Sequence, residues 1–311
     1  MKNKYEFQNL GEGKIKYLID GKDGSECKGE SFYKYYALTD YSVEALTHLY
    51  VYASHPNQLN DPFDCADGLI QFDDIDSARL FAKHFYPAIQ ELCENNEDAI
   101  LDYVKSAYRT YLYTELGILC LSKTWDDVSM WSNYTNHKGF CVEFDVFSFP
   151  FDFWGPFKIN YHEKLVGKSV REIGLPIVSL YQTNVKLKSW EHEHEWRLLI
   201  KAPKGFSLEP YGEYSDLLKQ IFTDFHDRKY KYPMKCLKSV CLGLDFFDDI
   251  TSIISENERE FIVLDNKKNA VMSFLALSRT PTYVLQEKNL KLTKIQIDII
   301  QIRENTYRII S

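Results

Sequence analysis

The residues best suited to chemistry lie in Lys188-Ser-Trp-Glu-His-Glu-His-Glu-Trp-Arg197. Glu191, Glu193 and Glu195 alternate, and alternate residues of a strand share a face. Three like charges on one face repel, and a raised carboxyl pKa is one way to relieve that. Arg197 falls on the same face and can pair with one of them. Glu195 borders the apolar run Leu198–Ile200 and is the first candidate for a catalytic carboxylate, with Glu193 beside it. A solvated edge strand carries about equal weight. His192 and His194 form an H-x-H pair on the opposite face, where two metal ligands would need partners from elsewhere. No H-E-x-x-H motif is present, and no metal is expected.

Further polar groups sit where apolar runs end. Ser122-Lys-Thr124 closes a strand-like run, so the hydroxyls of Ser122 and Thr124 can hold a ligand or cap the next helix. Asn60-Asp-Pro-Phe-Asp64 is a rigid polar loop in which Asn60 and Asp61 serve a ligand or their own turn. In Met130-Trp-Ser-Asn-Tyr134, Trp131 and Tyr134 belong to the core or wall a flat ring. Lys34 and Tyr35 lie on an early aromatic strand. The expectation is that Lys34, Asn60, Ser122, Tyr134 and Glu195 converge on one concave pocket. A Glu195→Gln change is then expected to lower turnover about 10²-fold with little loss of stability. The competing reading is that Glu195 only pairs with Arg197 or a lysine.

The bulk composition bounds these readings. The chain has 311 residues, 45% hydrophobic and 15% aromatic, with 22 Tyr and 20 Phe, which excludes a disordered chain. Its net charge of −8 argues against extended nucleic-acid binding. Seven cysteines without a C-x-x-C pair point to reduced thiols and a cytoplasmic location, with no disulfide expected. No signal peptide is read at the N-terminus, and no apolar run approaches the ~20 residues of a membrane span. There is no Walker loop, no G-x-G-x-x-G and no G-x-S-x-G.

These groups need a scaffold. Residues 1–30 read as a loose N-terminal arm with a strand at Lys14–Ile19, 31–288 as one α+β domain, and 289–311 as a C-terminal tail strand. The central sheet is expected to be mixed or antiparallel with flanking helices, built from eight to ten strands. Strands are read at Phe32–Leu38, Tyr50–Ser54, Ile118–Ser122, Gly139–Asp145, Phe157–Tyr161, Glu195–Lys201, Ser239–Leu244, Phe261–Leu264, Ser273–Leu277 and Thr282–Gln286. Helices are read at Tyr41–Leu49, Ser77–Cys93, Asp126–Tyr134 and Ile177–Leu187. Further helices are read from Asn96 to a stop at Gly117, around Leu217–Phe225, and from Leu244 to Glu260. Leu119, Leu121, Val142, Phe144, Leu198 and Ile200 are expected to be buried on adjacent strands.

In this order, Tyr33-Lys34-Tyr35, Asn60–Asp64, Cys120-Leu-Ser122, Met130–Tyr134, Lys138–Asp145 and Glu193–Arg197 resemble a bacterial family, the domain of unknown function 2971. The resemblance spans roughly residues 31–285 and implies no activity. A fold-level resemblance is to the arginine-serine-glutamate class of ADP-ribosyltransferases. That class uses a basic residue on an early strand, a Ser-x-Ser or Ser-x-Thr strand end and a Glu-x-Glu strand. Lys34, Ser122-Lys-Thr124 and Glu193-His-Glu195 match in order and type, with Lys34 where the class has arginine. The resemblance implies NAD as substrate and Glu195 and Glu193 as catalytic carboxylates. Lys34, Tyr35, Asn60, Asp61, Ser122, Thr124, Trp131, Tyr134 and Arg197 would then hold the nucleotide. The resulting expectation is an NAD-using ADP-ribosyltransferase-like enzyme, an effector in phage defence or a toxin system, with a protein acceptor. The alternatives are a non-catalytic ligand-sensing or protein-interaction module, and a metal-dependent nuclease or hydrolase built on Asp61, Asp64 and Glu195. The oligomeric state is not legible.

Overall fold

The computed structural model describes residues 4–11, 14–72, 75–85, 97–174, 177–201, 228–248, 252–253 and 260–311. The protein is α+β, built on a mixed sheet of eleven strands. These are β1 (Phe32–Tyr36), β2 (Leu116–Ser122), β3 (Phe140–Phe144), β4 (Phe153–Lys158), β5 (Glu195–Lys201), β6 (Leu237–Leu242), β7 (Ser252–Ile253), β8 (Glu260–Ile262), β9 (Thr282–Lys288), β10 (Lys291–Arg303) and β11 (Thr306–Ile310). Their spatial order is β7-β8-β11-β10-β9-β6-β3-β1-β2-β5-β4. Neighbours run antiparallel except β6 and β9, which are parallel. Helices α1 (Asp40–Thr47), α2 (Ile75–Phe85), α3 (Glu97–Glu115), α4 (Val128–Thr135), α5 (Val170–Ile173), α6 (Val178–Asn184) and α7 (Asn266–Ser278) flank the sheet.

The period-two pattern decides which face each strand buries. Phe32, Leu119, Leu121, Val142, Phe144, Leu198 and Ile200 point to one side, where Val43 and Leu46 of α1 and Val271, Met272 and Leu275 of α7 cover them. Strands β2 and β5 are adjacent, and β3 lies one strand further, beyond β1. The opposite side has two separate covers. Leu112 of α3 and Leu180 of α6 pack on Leu116, Ile118 and Leu199. Met130 and Trp131 of α4 pack on Tyr35, Cys141, Cys241 and Leu285. The boundary between those covers falls at β1 and β2, which are paired only through Tyr33 opposite Ser122.

Several sequence expectations are corrected. Ser273–Leu277 is part of α7, whose Asp265 side chain caps the helix by accepting from the Lys268 amide; the helical spacing of Val271, Met272 and Leu275 outweighs local strand preference. Gly117 does not end a helix but lies inside β2, where an added Cβ would stand 2.6 Å from the Ala53 Cβ. The helix expected over 177–187 stops at Asn184, and Val185–Leu187 is a strand pairing in parallel with Asn160–His162. The N-terminal arm is a hairpin of Tyr5–Gly11 and Lys14–Ile19, docked through Tyr17, whose ring lies 4.9 Å from that of Trp154. The tail supplies two strands, β10 and β11. Leu244–Asp248 is a turn; the rest of the helix expected there, the helix around Leu217–Phe225, the Asn96 cap and Cys93 lie outside the described residues, apart from β7 and Glu260 at the start of β8. The six described cysteines are free thiols. Among the described residues no helix is long and apolar enough to cross a membrane.

Candidate functional site

A cavity of about 200 Å³ opens where the two helical covers part. Lys34, Asn60, Ser122, Tyr134, Glu193 and Glu195 all line it, and so do Tyr35 and Arg197. Asp61, Thr124 and Trp131 do not. Asp61 is buried, and its Oδ1 accepts from the Phe63 amide, which builds the turn. The Thr124 carbonyl accepts from the Tyr35 hydroxyl at 2.9 Å. Trp131 is fully buried and its indole donates to the Trp125 carbonyl at 2.7 Å, so it belongs to the core.

The three glutamates do not share one strand face. Lys188–Glu193 forms a 3-10 helix, and His194 turns the chain in the left-handed region at φ 46°, so only Glu195 enters the sheet. Glu193 and Glu195 still meet, because Lys186 lies between them. Its ammonium donates to Glu193 Oε2 at 2.6 Å and Glu195 Oε2 at 3.2 Å, and lies 4.6 Å from the Trp190 ring centroid. Local sequence does not single out Lys186, because Val185-Lys186-Leu187 reads as the end of the helix expected over 177–187 and is instead a strand. A lysine inside a short apolar strand run was the signal available.

Arg197 is the centre of this wall. Its two Nη atoms grip the Asp64 carboxylate, Nη1 at 2.8 Å from Oδ1 and Nη2 closer still to Oδ2. Nε donates to Glu195 Oε1 at 2.7 Å, Nη2 to Glu195 Oε2 at 3.2 Å, and Nη1 to the Thr183 carbonyl at 2.8 Å. All five guanidinium N–H groups are thereby committed within the protein. Burial alone would raise the Glu195 pKa, but Arg197 and Lys186 outweigh it and hold the carboxyl at about 2. The like-charge repulsion expected from sequence is thus overridden by two cations, and Glu195 is an anion at neutral pH. Burial would lower the Lys186 pKa, and its two glutamates instead raise it.

The facing groups are differently placed. Tyr134 on α4 donates to Glu193 Oε1 and accepts from Asn60 Nδ2 at 2.9 Å, joining helix, loop and wall. Ser122 donates to the Glu193 carbonyl at 2.8 Å. Strand alternation puts Lys34 on the side of Phe32 and Tyr36; the residue borders the cavity, and its ammonium donates to the Cys120 carbonyl at 3.3 Å and lies 5.7 Å from the Tyr36 ring centroid. Lys34 is half-buried and, among the described residues, has no carboxylate at ion-pair distance; burial lowers its pKa.

The cavity thus lies between a buried network of three carboxylates and two cations and, from β1, Lys34, which has no carboxylate at ion-pair distance among the described residues. Residues 130–198 match a family model described as protein of unknown function (DUF2971). This segment is DUF2971-like. It runs from α4 to β5 and contributes Met130, Tyr134, Lys186, Glu193, Glu195 and Arg197 to the cavity, while Lys34, Asn60 and Ser122 lie outside the DUF2971 match. No curated protein and no solved structure matches the chain. Of the metal-ligating residue types, no group of three or more that could hold an ion occurs among the described residues; His192 Nδ1 instead lies 3.0 Å from the Ser189 carbonyl.

Proposed function

We propose that the protein is an ADP-ribosyltransferase-like enzyme that cleaves the nicotinamide–ribose bond of NAD and passes the ADP-ribosyl group to an acceptor. The observation that carries this reading is the meeting of Lys34, Ser122 and Glu195, from three neighbouring strands, on one cavity. Their types and chain order resemble the arginine-serine-glutamate class. In such a reaction the C1′–N bond breaks with both electrons leaving on nicotinamide, and the ribosyl carbon carries positive charge. A carboxylate held ionised offsets that charge and accepts from a ribose hydroxyl, and the pKa of Glu195 suits it to this and not to general acid work. Lys34 faces the diphosphate as a point charge, without the bidentate fork an arginine would offer. The acceptor then adds at C1′ and gives up its proton.

The cavity is smaller than the ~300–1,000 Å³ that encloses a drug-sized ligand, so it takes the nicotinamide-ribose end, with the diphosphate at Lys34, and leaves the adenosine part of the dinucleotide outside. A cytoplasmic location fits this role, since NAD and reduced thiols are found together there. An NAD-consuming effector of phage defence or a toxin system is the biological role this chemistry suits.

One observation favours a second reading, a ligand-binding module without turnover. Arg197 and Lys186 occupy the Glu195 oxygens and damp the charge that would stabilise a cation. A metal-dependent nuclease has less support, because Asp64 and Glu195 use their oxygens on Arg197 and Asp61 uses Oδ1 on its own turn. The deciding experiment follows nicotinamide release from NAD by the wild type and by Glu195→Gln. The enzyme reading expects release that falls about 10²-fold in the variant. NAD binding without release supports the module, and release unchanged in a folded variant removes Glu195 from the chemistry.

A further inference from the structure

The cavity is one end of a longer polar row. Glu195 on β5 stands opposite Ser122 on β2, Ser122 opposite Tyr33 on β1, Tyr33 opposite Glu143 on β3, and Glu143 opposite Ser239 on β6. All four pairings are antiparallel and directly opposed, so the five side chains share the cavity's face of the sheet. Glu195, Ser122 and Tyr33 line the cavity; Glu143 and Ser239 continue the row beyond it.

The far end is organised around Glu143. Ser31 donates to its Oε1 at 2.5 Å and Ser239 to its Oε2 at 2.6 Å. Each oxygen thus holds one hydroxyl, and a carboxylate offers about four lone-pair directions, so about two stay open. Glu143 is half-buried and, among the described residues, no lysine, arginine or histidine pairs with it at ion-pair distance. The Lys238 ammonium approaches from the bulge in β6, donating to Ser31 Oγ at 3.2 Å. It too has no carboxylate at ion-pair distance among the described residues. Glu143 is therefore an oriented acceptor, and Lys238 a cation beside it.

We propose that this far end is a second subsite, in which Glu143 accepts from the vicinal hydroxyls of the second ribose of a dinucleotide and Lys238 lies toward its phosphate side. A carboxylate is a natural acceptor for a ribose diol, as in other dinucleotide sites. Glu143 lies three strand spacings from Glu195, about 14 Å at the usual inter-strand distance, a span suited to the two ribose rings of an extended dinucleotide. The subsite rests on the NAD reading above, and it accounts for the part of NAD that the cavity leaves outside.

Calorimetric titration with NAD and with nicotinamide mononucleotide, which lacks the second nucleoside, tests it on the full chain. Wild type should bind NAD about 10-fold or more tighter than the mononucleotide. Glu143→Gln should remove most of that advantage while leaving mononucleotide affinity unchanged, because a hydrogen bond to a charged acceptor is worth about that factor. If Glu143→Gln does not fold, Ser31→Ala should shrink the same ratio by a smaller factor. A wild type that binds both ligands equally overturns the subsite and leaves the NAD reading standing. A folded Glu143→Gln that keeps the full ratio, or loses affinity for both ligands alike, also overturns it. Binding of neither ligand by wild type overturns the subsite and the NAD reading together.

Discussion

The two walls of the cavity treat charge in opposite ways. On the side of β2 and β5, Arg197, Asp64, Glu195, Glu193 and Lys186 are all buried and all partnered with one another. On the side of β1, Lys34 has the Cys120 carbonyl and the Tyr36 ring beside its ammonium and no carboxylate at ion-pair distance among the described residues. Buried ions persist in folded proteins when paired and hydrogen-bonded, so the first wall explains itself as structure. The second is less fully paired, because a half-buried ammonium without a carboxylate at ion-pair distance costs stability that one carbonyl and one aromatic ring offset only in part. The difference motivates the proposed division of work: one wall fixes the shape and charge of the site, and the other receives an anion.

The largest test of that division is Arg197→Met. It leaves Asp64 and Glu195 buried without their main partner and should cost about 3–5 kcal/mol in urea unfolding. A loss below about 1 kcal/mol would mean the wall is not structural. Next comes Glu195→Gln. The carboxyl is held at about 2 against an ordinary 4.5, so its ion pairs contribute roughly 3 kcal/mol at neutral pH. Because the folded pKa is depressed, that contribution is complete above the ordinary value and is lost as pH falls from there through about 2. Melting curves of wild type and variant should therefore differ by most at neutral pH and converge toward pH 2; parallel curves at all pH values would contradict the assignment. The little loss of stability expected from sequence for this change is thus revised, since Glu195 is also held in the ion pairs of the wall.

How much of this was legible follows from range. Glu195–Lys201 reads as a strand because Leu198–Ile200 is a local apolar run, and the alternation in Phe140–Phe144 is equally local. The Lys34, Asn60, Ser122, Tyr134 and Glu195 set could be assembled because all but Lys34, which is mid-strand, sit at or near an element end or on a polar turn. Lys186 could not, since its role depends on a parallel pairing of Val185–Leu187 with Asn160–His162 that no local pattern encodes. The face shared by Glu191, Glu193 and Glu195 failed for a similar reason. The left-handed turn at His194 breaks the alternation, and histidine, although enriched in that conformation, adopts it in only a small minority of cases, so one histidine does not announce the turn. Glu143 was read as a strand residue, and only the register across five strands shows which row it joins.

A smaller effect concerns pH on the open wall. Burial lowers the Lys34 pKa, so its charge disappears as pH rises at values below the ordinary lysine range. NAD affinity should weaken over that interval in the wild type and stay flat in Lys34→Met. An affinity that holds constant to the ordinary lysine pKa in the wild type would separate Lys34 from the ligand.

The most direct test of the division between walls is calorimetric titration of NAD into wild type and Lys34→Met, with melting temperatures taken on the same samples. The account predicts that wild type binds, that the variant binds at least about 10-fold more weakly, and that its melting temperature is equal or slightly higher. Equal affinity in the two proteins, or a variant that loses affinity only because it loses several degrees of stability, would contradict it.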